Sequence, residues 1–226
     1  VDVFEALDST KSRYRIDDDR IGVRGFSMGG AACWQFAVHN SDRWFAANPG
    51  AGFSETPQFL KVFQKEELKP TWWEQRLWRM YNCDEWAKNL RHCPTVAYSG
   101  EEDTQKQAAD VMEAALKNIS IDLVHIIGPK TKHAYHPDSR VEVDRRMEQL
   151  AVVGRNRVPR RVDFCTQTLK YNRMHWVVID GMANHWETSW VEAKMLETGT
   201  GNLGIWMTTT NVTDLTLEFE TGRAPL

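Results

Sequence analysis

Arg24-Gly25-Phe26-Ser27-Met28-Gly29-Gly30 is the stretch of sequence that decides the fold. It has the pattern G-x-S-x-G and lies between an apolar segment, Ile21-Gly22-Val23, and a helical pattern that begins at Ala31. A serine on a tight strand-to-helix turn needs small residues on both sides, because a Cβ there would collide with the neighbouring backbone. Such a turn exposes the Oγ of Ser27 and aims the backbone N–H of Met28 at the place where an oxyanion forms. We therefore predict Ser27 as a nucleophile and Met28 as an oxyanion donor.

The composition is that of a globular protein. Of the 226 residues, 42% are hydrophobic and 26% are charged, which excludes a disordered chain. The formal net charge of −3 provides no broad basic field, so we expect no nucleic-acid partner. No apolar run approaches the length of a membrane span.

The four cysteines indicate no metal or redox centre. Cys33, Cys83, Cys93 and Cys165 are widely spaced and form no C-x-x-C pair, so we expect no zinc site, and no other metal or cofactor. Cys83 and Cys93 would pair only in an exported protein, and free thiols are the favoured alternative.

Strands alternate with helices over the first two thirds of the chain. This alternation predicts an α/β fold whose parallel strands are joined by right-handed crossovers. A Trp-rich segment at 51–92 interrupts the pattern and reads as a helical insertion, whose aromatic residues are better explained by packing than by a substrate box. The predicted strands are 21–24, 45–50, 95–100 and 123–128, and the predicted helices are 1–12, 28–39, 105–116 and 139–152.

The pattern changes near residue 155. A basic stretch with a proline, 155–161, reads as a solvated linker, and segments of period two follow it. We predict antiparallel strands at 162–166, 174–179, 204–208 and 215–219. The expected organisation is therefore a partial α/β catalytic domain at 1–154 and a small β-rich module at 155–226.

Two loops, each after a predicted strand, offer partners for Ser27. A serine nucleophile needs a general base and a carboxylate that orients it, and hydrolases of this architecture place them in the chain order Ser, Asp or Glu, His. The first loop contains Glu101, Glu102 and Asp103. We favour Asp103, whose short side chain suits a fixed hydrogen bond to an imidazole, and the two glutamates remain alternatives.

The second loop contains His133 and His136. His136 precedes Pro137, which constrains its backbone to extended conformations, so His133 is the favoured base. The remaining histidines do not follow a strand end in the required order and are expected to be structural or exposed; they are His39, His92, His125, His175 and His185.

Three segments together resemble the prolyl oligopeptidase family, serine peptidase family S9 of the α/β-hydrolase superfamily. They are Gly25-Phe26-Ser27-Met28-Gly29-Gly30, Gly100-Glu101-Glu102-Asp103 and Gly128-Pro129-Lys130-Thr131-Lys132-His133, and the resemblance extends over residues 1–152. It implies a nucleophile at Ser27, an acid partner at Asp103, a base at His133 and a peptide substrate.

The insertion at 51–92 and the β-rich end depart from the family pattern. Two alternatives therefore stay open: a carboxylesterase that acts on small acyl or sugar esters, and a hydrolase-like binding module without catalysis.

The chain also reads as a fragment. It lacks an initial methionine, and the sheet strands expected before residue 21 are missing, together with the loop that normally gives the second oxyanion donor. It stops at Ala224-Pro225-Leu226 without a clear end to the β-rich module, so we expect truncation there as well. We expect this piece alone to be nearly inactive and to aggregate, because a sheet edge would be exposed. Neither compartment nor oligomeric state follows from the sequence.

Overall fold

A four-stranded parallel sheet organises the first part of the chain. The computed structural model describes residues 2–197, 199 and 202–224, so the expectations for Val1, Pro225 and Leu226 lie outside the described residues. The sheet has the strand order β1-β2-β3-β4, and all its neighbours pair in parallel. Its strands are β1 Val23–Phe26, β2 Ala47–Gly50, β3 Val96–Gly100 and β4 Val124–Gly128.

Helices cover both faces of this sheet. On one face, buried side chains of α2 (Met28–His39), α5 (Lys106–Lys117) and the 3₁₀ helix Cys83–His92 share a core that includes Ala97 of β3. On the other face, α6 (Pro137–Val153) packs Val143 and Met147 against Val96 and Tyr98 of β3. This arrangement confirms the predicted α/β fold. The helices are α1 Asp2–Arg13, α2 Met28–His39, α3 Thr56–Gln58, α4 Trp72–Tyr81, α5 Lys106–Lys117 and α6 Pro137–Val153.

The first strand lies two residues later than predicted. The apolar run pointed to 21–24, whereas β1 covers Val23–Phe26. Ile21 instead accepts a hydrogen bond from the N–H of Phe45 at 2.9 Å, ahead of the ladder itself. Ser27 therefore follows the last residue of β1 directly.

The segment 51–92 is helical throughout most of its length. After α3 the chain forms one turn of π-helix at Phe59–Gln64, then α4, then the 3₁₀ helix Cys83–His92. Thr71 and Glu74 form a capping box that fixes the start of α4. The aromatic residues of the segment 51–92 include both buried and exposed side chains. Trp86 is buried and donates to the carbonyl of Arg79 at 2.8 Å, whereas Trp72 is 73% exposed.

Two three-stranded antiparallel sheets follow residue 160, as the period-two segments predicted. Their strand orders are β5-β8-β9 and β10-β7-β6. They bury a common core that contains Phe164 of β5, Ile179 of β7 and Val191 of β8. The strands are β5 Arg161–Thr166, β6 Arg173–Met174, β7 Val177–Met182, β8 Ser189–Glu197, β9 Leu203–Thr210 and β10 Val212–Leu217.

Two strand predictions in this region were wrong. The segment 174–179 is not one strand, because the backbone turns back at His175, with φ of 52°, and Met174 pairs with Val177. The predicted strand at 215–219 is β10, Val212–Leu217, and begins three residues earlier. Strand β8 was not predicted at all.

The basic stretch 155–161 is not a solvated linker. Arg155 donates to the carbonyl of Asp42 at 2.6 Å, and Arg157 pairs with Asp19 at 2.6 Å. Both acceptors belong to the first part of the chain. The stretch is therefore fixed against the α/β sheet region.

The cysteines are four free, buried thiols. Burial raises the pKa of Cys33 to about 12, so this thiol stays protonated and unreactive at neutral pH. Within the described residues, none of the helices has the length and apolar character needed to cross a membrane.

Candidate active site

The turn from β1 to α2 holds Ser27 in an unusual backbone conformation. Its φ of 56° and ψ of −120° lie outside the regions that L-residues normally adopt. Two hydrogen bonds fix it there: the Ser27 N–H donates to Gly50 at 2.8 Å, and the Ser27 carbonyl accepts from Ala31 at 3.0 Å. Backbone strain of this kind concentrates at functional sites, where the surrounding structure enforces it.

The glycines around Ser27 differ in what their absent side chains would meet. A Cβ on Gly25 would lie 2.0 Å from the carbonyl oxygen of Gly29, and one on Gly30 would lie 2.2 Å from that of Gly50. The same holds at Gly52, where a Cβ would lie 2.4 Å from the carbonyl of Ser27. At Gly29, in contrast, a Cβ meets no atom of the described residues within 4 Å. The sequence argument that both flanking glycines avoid a collision was therefore right for Gly25 and wrong for Gly29.

The structure brings Ser27, His133 and Asp103 into one chain of hydrogen bonds. The Nε2 atom of His133 lies 2.8 Å from the Oγ of Ser27, and its Nδ1 atom lies 2.8 Å from the Oδ2 of Asp103. An ionised carboxylate only accepts hydrogen bonds, so Nδ1 carries the proton of a neutral imidazole. Nε2 then has a free lone pair directed at the hydroxyl of Ser27.

Asp103 is held from both sides of its carboxylate. Its side chain is buried, only 3% exposed, and its Oδ1 accepts from the N–H of Gln105 at 2.9 Å while Oδ2 faces His133. The two alternatives in the same loop lie elsewhere. Glu101 accepts from the N–H of Lys130 at 2.7 Å, and Glu102 is exposed.

His136, the alternative base, has a structural position. It occupies the N-cap position of α6 without a side-chain capping bond, and its backbone N–H donates to the hydroxyl of Tyr98 at 2.7 Å. Tyr98 in turn donates to the carbonyl of Ala134 at 2.8 Å. Burial raises the pKa of Tyr98, so its hydroxyl stays protonated and donates at neutral pH.

Tyr98 is thus a positioning residue that sequence reasoning missed. Its hydroxyl hydrogen-bonds to the backbone of the His133 loop at the residues before and after Tyr135, and its ring stacks on Tyr135 at 4.3 Å between centroids. In the sequence it lies inside an apolar strand, where a tyrosine reads as core. The only local signal was its hydroxyl, which needs a partner when buried.

Two glycines at the strand ends let the acid loop and the base loop approach each other. A Cβ on Gly100 would lie 2.2 Å from the carbonyl of Lys132, and one on Gly128 would lie 2.3 Å from the hydroxyl of Tyr98. Backbone hydrogen bonds join the loops at 2.9 Å from Glu102 to Thr131 and from Glu101 to Gly128. The spacing between Asp103 and His133 is therefore set by main chain.

The environment of the Ser27 hydroxyl favours negative charge. Met28 is the first residue of α2, where backbone N–H groups lack partners within the helix and the helix dipole is positive. Residue Met28 is 82% exposed, and the side chain of His133 is 43% exposed. A hydroxyl with a base on one side and a helix N-terminus on the other is suited to acyl transfer on an accessible substrate.

The first two thirds of the chain match a known protein family. Residues 1–152 match the prolyl oligopeptidase family, peptidase family S9. A search of curated protein sequences found no match to the chain.

Several solved structures share the fold at low sequence identity. A Bacteroides ovatus protein described as a dipeptidyl aminopeptidase IV aligns with a TM-score of 0.56 and 16% identity, over 68% of this chain and 22% of its own. The acylaminoacyl peptidase of Pyrococcus horikoshii aligns with a TM-score of 0.52 and 21% identity, over 64% and 25%. A puromycin-hydrolyzing peptidase of Mycobacterium tuberculosis aligns with a TM-score of 0.51 and 18% identity, over 65% and 23%. The chain thus covers about a quarter of the length of each of these proteins.

Proposed function

The chain belongs to the prolyl oligopeptidase family, and on that premise we propose that it hydrolyses peptide bonds through an acyl-enzyme formed on Ser27. The observation that supports the proposal is the hydrogen-bonded chain from Ser27 through His133 to Asp103, with 2.8 Å at each step. The family is one of serine hydrolases, and these residue types in this order are what acyl transfer by serine requires.

In the first half of the proposed reaction, Ser27 attacks the carbonyl carbon of the scissile bond. His133 takes the hydroxyl proton on Nε2 and becomes an imidazolium, which the carboxylate of Asp103 stabilises through Nδ1–H. The tetrahedral intermediate then collapses, the C–N bond breaks, and Nε2 returns the proton to the leaving amine. The acyl group is now an ester of Ser27.

In the second half, water replaces the amine. His133 removes a proton from the water, whose oxygen attacks the acyl carbon, and the second tetrahedral intermediate expels the Oγ of Ser27. Nε2 delivers the proton to that oxygen. The products are an amine and a carboxylic acid, and the enzyme returns to its starting state.

We assign the backbone N–H of Met28 to the oxyanion of both intermediates. It is the N–H that follows the nucleophile on this type of turn, and it lies at the positive end of α2. A single donor of this kind contributes a factor of about 10²–10³ to kcat.

We further propose that residues 1–154 carry the chemistry and that residues 155–226 brace it. Ser27, Met28, Asp103 and His133 all lie in the first range. The second range contacts the 3₁₀ helix Cys83–His92, where the side-chain amide of Asn89 donates to Cys165 at 3.0 Å and its carbonyl accepts from Cys165 at 2.8 Å.

Steady-state kinetics of the full-length protein on a peptide nitroanilide and on a short-chain nitrophenyl ester test the proposal. We expect peptide hydrolysis that Asp103→Asn lowers by about 10⁴ in kcat, because the imidazole loses its orienting carboxylate. Glu102→Gln, the matched control in the same loop, leaves kcat within about twofold, since Glu102 is exposed.

Two outcomes would contradict the peptidase proposal. Hydrolysis of the ester with no hydrolysis of any peptide would show a carboxylesterase that uses the same residues. Equal kcat values for Asp103→Asn and Glu102→Gln would show that Asp103 does not orient the base.

A further inference from the structure

A mixed cluster of one histidine and two carboxylates lies on the outer face of α5 and β4, apart from the Ser27 site. Asp110 and Glu113 are three residues apart on α5, so they share one face of the helix. His125 comes from β4 and faces them. One ligand atom from each of the three lies within 4.8 Å of the others.

The His125 ring is buried and fixed in orientation. Its side chain is only 4% exposed, and its Nε2 atom lies 3.0 Å from the hydroxyl of Ser99, which is fully buried. Nδ1 faces the two carboxylates, and when a cation takes its lone pair the ring proton moves to Nε2, where the hydroxyl of Ser99 accepts it. Metal-binding histidines are held in this way by a hydrogen bond to the ring nitrogen that does not bind the metal.

The ligand atoms are spaced more widely than in a short hydrogen bond. Nδ1 of His125 makes a long hydrogen bond to Glu113 at 3.4 Å and lies 3.8 Å from Asp110, whereas most N–H···O bonds are about 2.7–3.2 Å long. Tetrahedral Zn²⁺ with bonds of about 2.0–2.1 Å holds its ligand atoms about 3.3–3.4 Å apart. All three ligand atoms lie within 4.8 Å of one another, so the two exposed carboxylates complete that arrangement by moving closer to the ion.

We propose that Asp110, Glu113 and His125 bind one Zn²⁺ ion, each through one atom, with water as the fourth ligand. One imidazole nitrogen and two carboxylate oxygens are a donor set that Zn²⁺ accepts. The site departs from the sequence expectation of no metal, which was drawn from the cysteines. The ion links α5 to β4, and through Ser99 to the strand that ends at the Asp103 loop.

Lys106 competes with the ion. Its ammonium contacts both carboxylate oxygens of Asp110, at 2.6 and 2.8 Å. Zinc binding displaces this exposed pair, which contributes little on its own. Removal of the Lys106 charge therefore strengthens zinc binding, an effect opposite to that of removing a ligand.

Calorimetric titration of the untagged full-length protein with ZnCl₂ tests the site. We expect binding of one ion, weakened at least about tenfold by His125→Gln and by Glu113→Gln, and about tenfold by Ser99→Ala. Lys106→Gln tightens binding severalfold. Glu148→Gln, which removes an exposed carboxylate from α6, leaves the affinity unchanged.

Circular dichroism of each variant shows whether it is folded. If His125→Gln does not fold because the ring is buried, Glu113→Gln still tests the site. The absence of zinc binding by the folded wild type would overturn the proposal. Equal affinity of the wild type and Glu113→Gln would overturn it too, as would weaker binding by Lys106→Gln.

Discussion

At the scale of single residues, the site depends on a strained serine backbone. Ser27 keeps its positive φ because Gly50 and Ala31 bond to its main chain on either side. Such strain costs about 1–3 kcal/mol and persists only where the surroundings enforce it. The motif around Ser27 could be recognised in the sequence because G-x-S-x-G lies between an apolar segment and a helical pattern.

The two glycines of G-x-S-x-G provide a matched pair of substitutions. Gly25→Ala forces a Cβ to within 2.0 Å of the Gly29 carbonyl, so we expect the free energy of unfolding to fall by about 1–3 kcal/mol and hydrolysis to be lost. Gly29→Ala fills open space in the first turn of α2, so stability stays the same or rises. Urea unfolding of both variants measures this. If Gly29→Ala lowered the free energy of unfolding as much as Gly25→Ala does, this would contradict the account of the turn.

At the scale of elements, the spacing of the site comes from the loops after β3 and β4. These strands pair in parallel register from Val96 to Gly100, so both loops leave the same edge of the sheet. Sequence order and the strand ends were enough to predict which loops meet. The hydrogen bonds of the Tyr98 hydroxyl to the His133 loop were not predictable, because their partners lie 36 and 38 residues away in the chain.

Tyr98→Phe tests whether these hydrogen bonds position His133. The variant loses two hydrogen bonds to the backbone beside His133, so we expect kcat to fall about tenfold or more with little change in KM. The free energy of unfolding falls by about 1–3 kcal/mol. Tyr135→Phe is the control, since among the described residues its hydroxyl makes only a long hydrogen bond of 3.5 Å, to Asn48. A smaller effect on kcat from Tyr98→Phe than from Tyr135→Phe would contradict the positioning role.

The missed strand shows where periodicity was present but overlooked. In β8 the side chains of Ser189, Val191, Ala193 and Met195 are buried and alternate with more exposed ones. Charged residues at alternate positions gave this stretch a polar look, although strict alternation is typical of a half-buried strand. The error at 174–179 had another cause. The turn there needs a positive φ at His175, and because this residue is not a glycine, nothing in the sequence indicated a turn.

At the scale of the whole molecule, the two parts of the chain share buried polar contacts. His92 bonds to the backbone of Asp163, and Asn89 joins Val38 and Cys165. Polar contacts between distant residues leave no trace in local sequence patterns. The stretch 155–161 read as a linker for this reason, because Arg155 and Arg157 bond to Asp42 and Asp19, which lie 113 and 138 residues earlier.

Buried histidines make the stability of the molecule sensitive to mild acid. Burial lowers the pKa of His39 to about 4, against 6.5 in the unfolded chain. Between these values the unfolded state binds more protons, so stability falls as the pH drops from 6.5 towards 4. His39 contributes about 1–2 kcal/mol of that loss between pH 7 and pH 5.

Urea unfolding at pH 7 and pH 5 measures this contribution. We expect His39→Gln to reduce the difference between the two pH values by about 1–2 kcal/mol, since its side chain does not titrate. His185→Gln serves as the control, because His185 is exposed. The contributions of other titrating groups to the pH dependence are the same in both proteins and cancel when the variant is compared with the wild type. An unchanged pH dependence in His39→Gln would contradict the neutral, buried state of His39.

The central claim is that Ser27 is an activated nucleophile. Its most direct test is covalent labelling of the full-length protein with a fluorophosphonate probe, with the modified peptide identified by mass spectrometry. The account predicts a label on Ser27 that is absent in Ser27→Ala and much slower in Asp103→Asn. A folded protein that takes no label, or takes it on a residue other than Ser27, would contradict it.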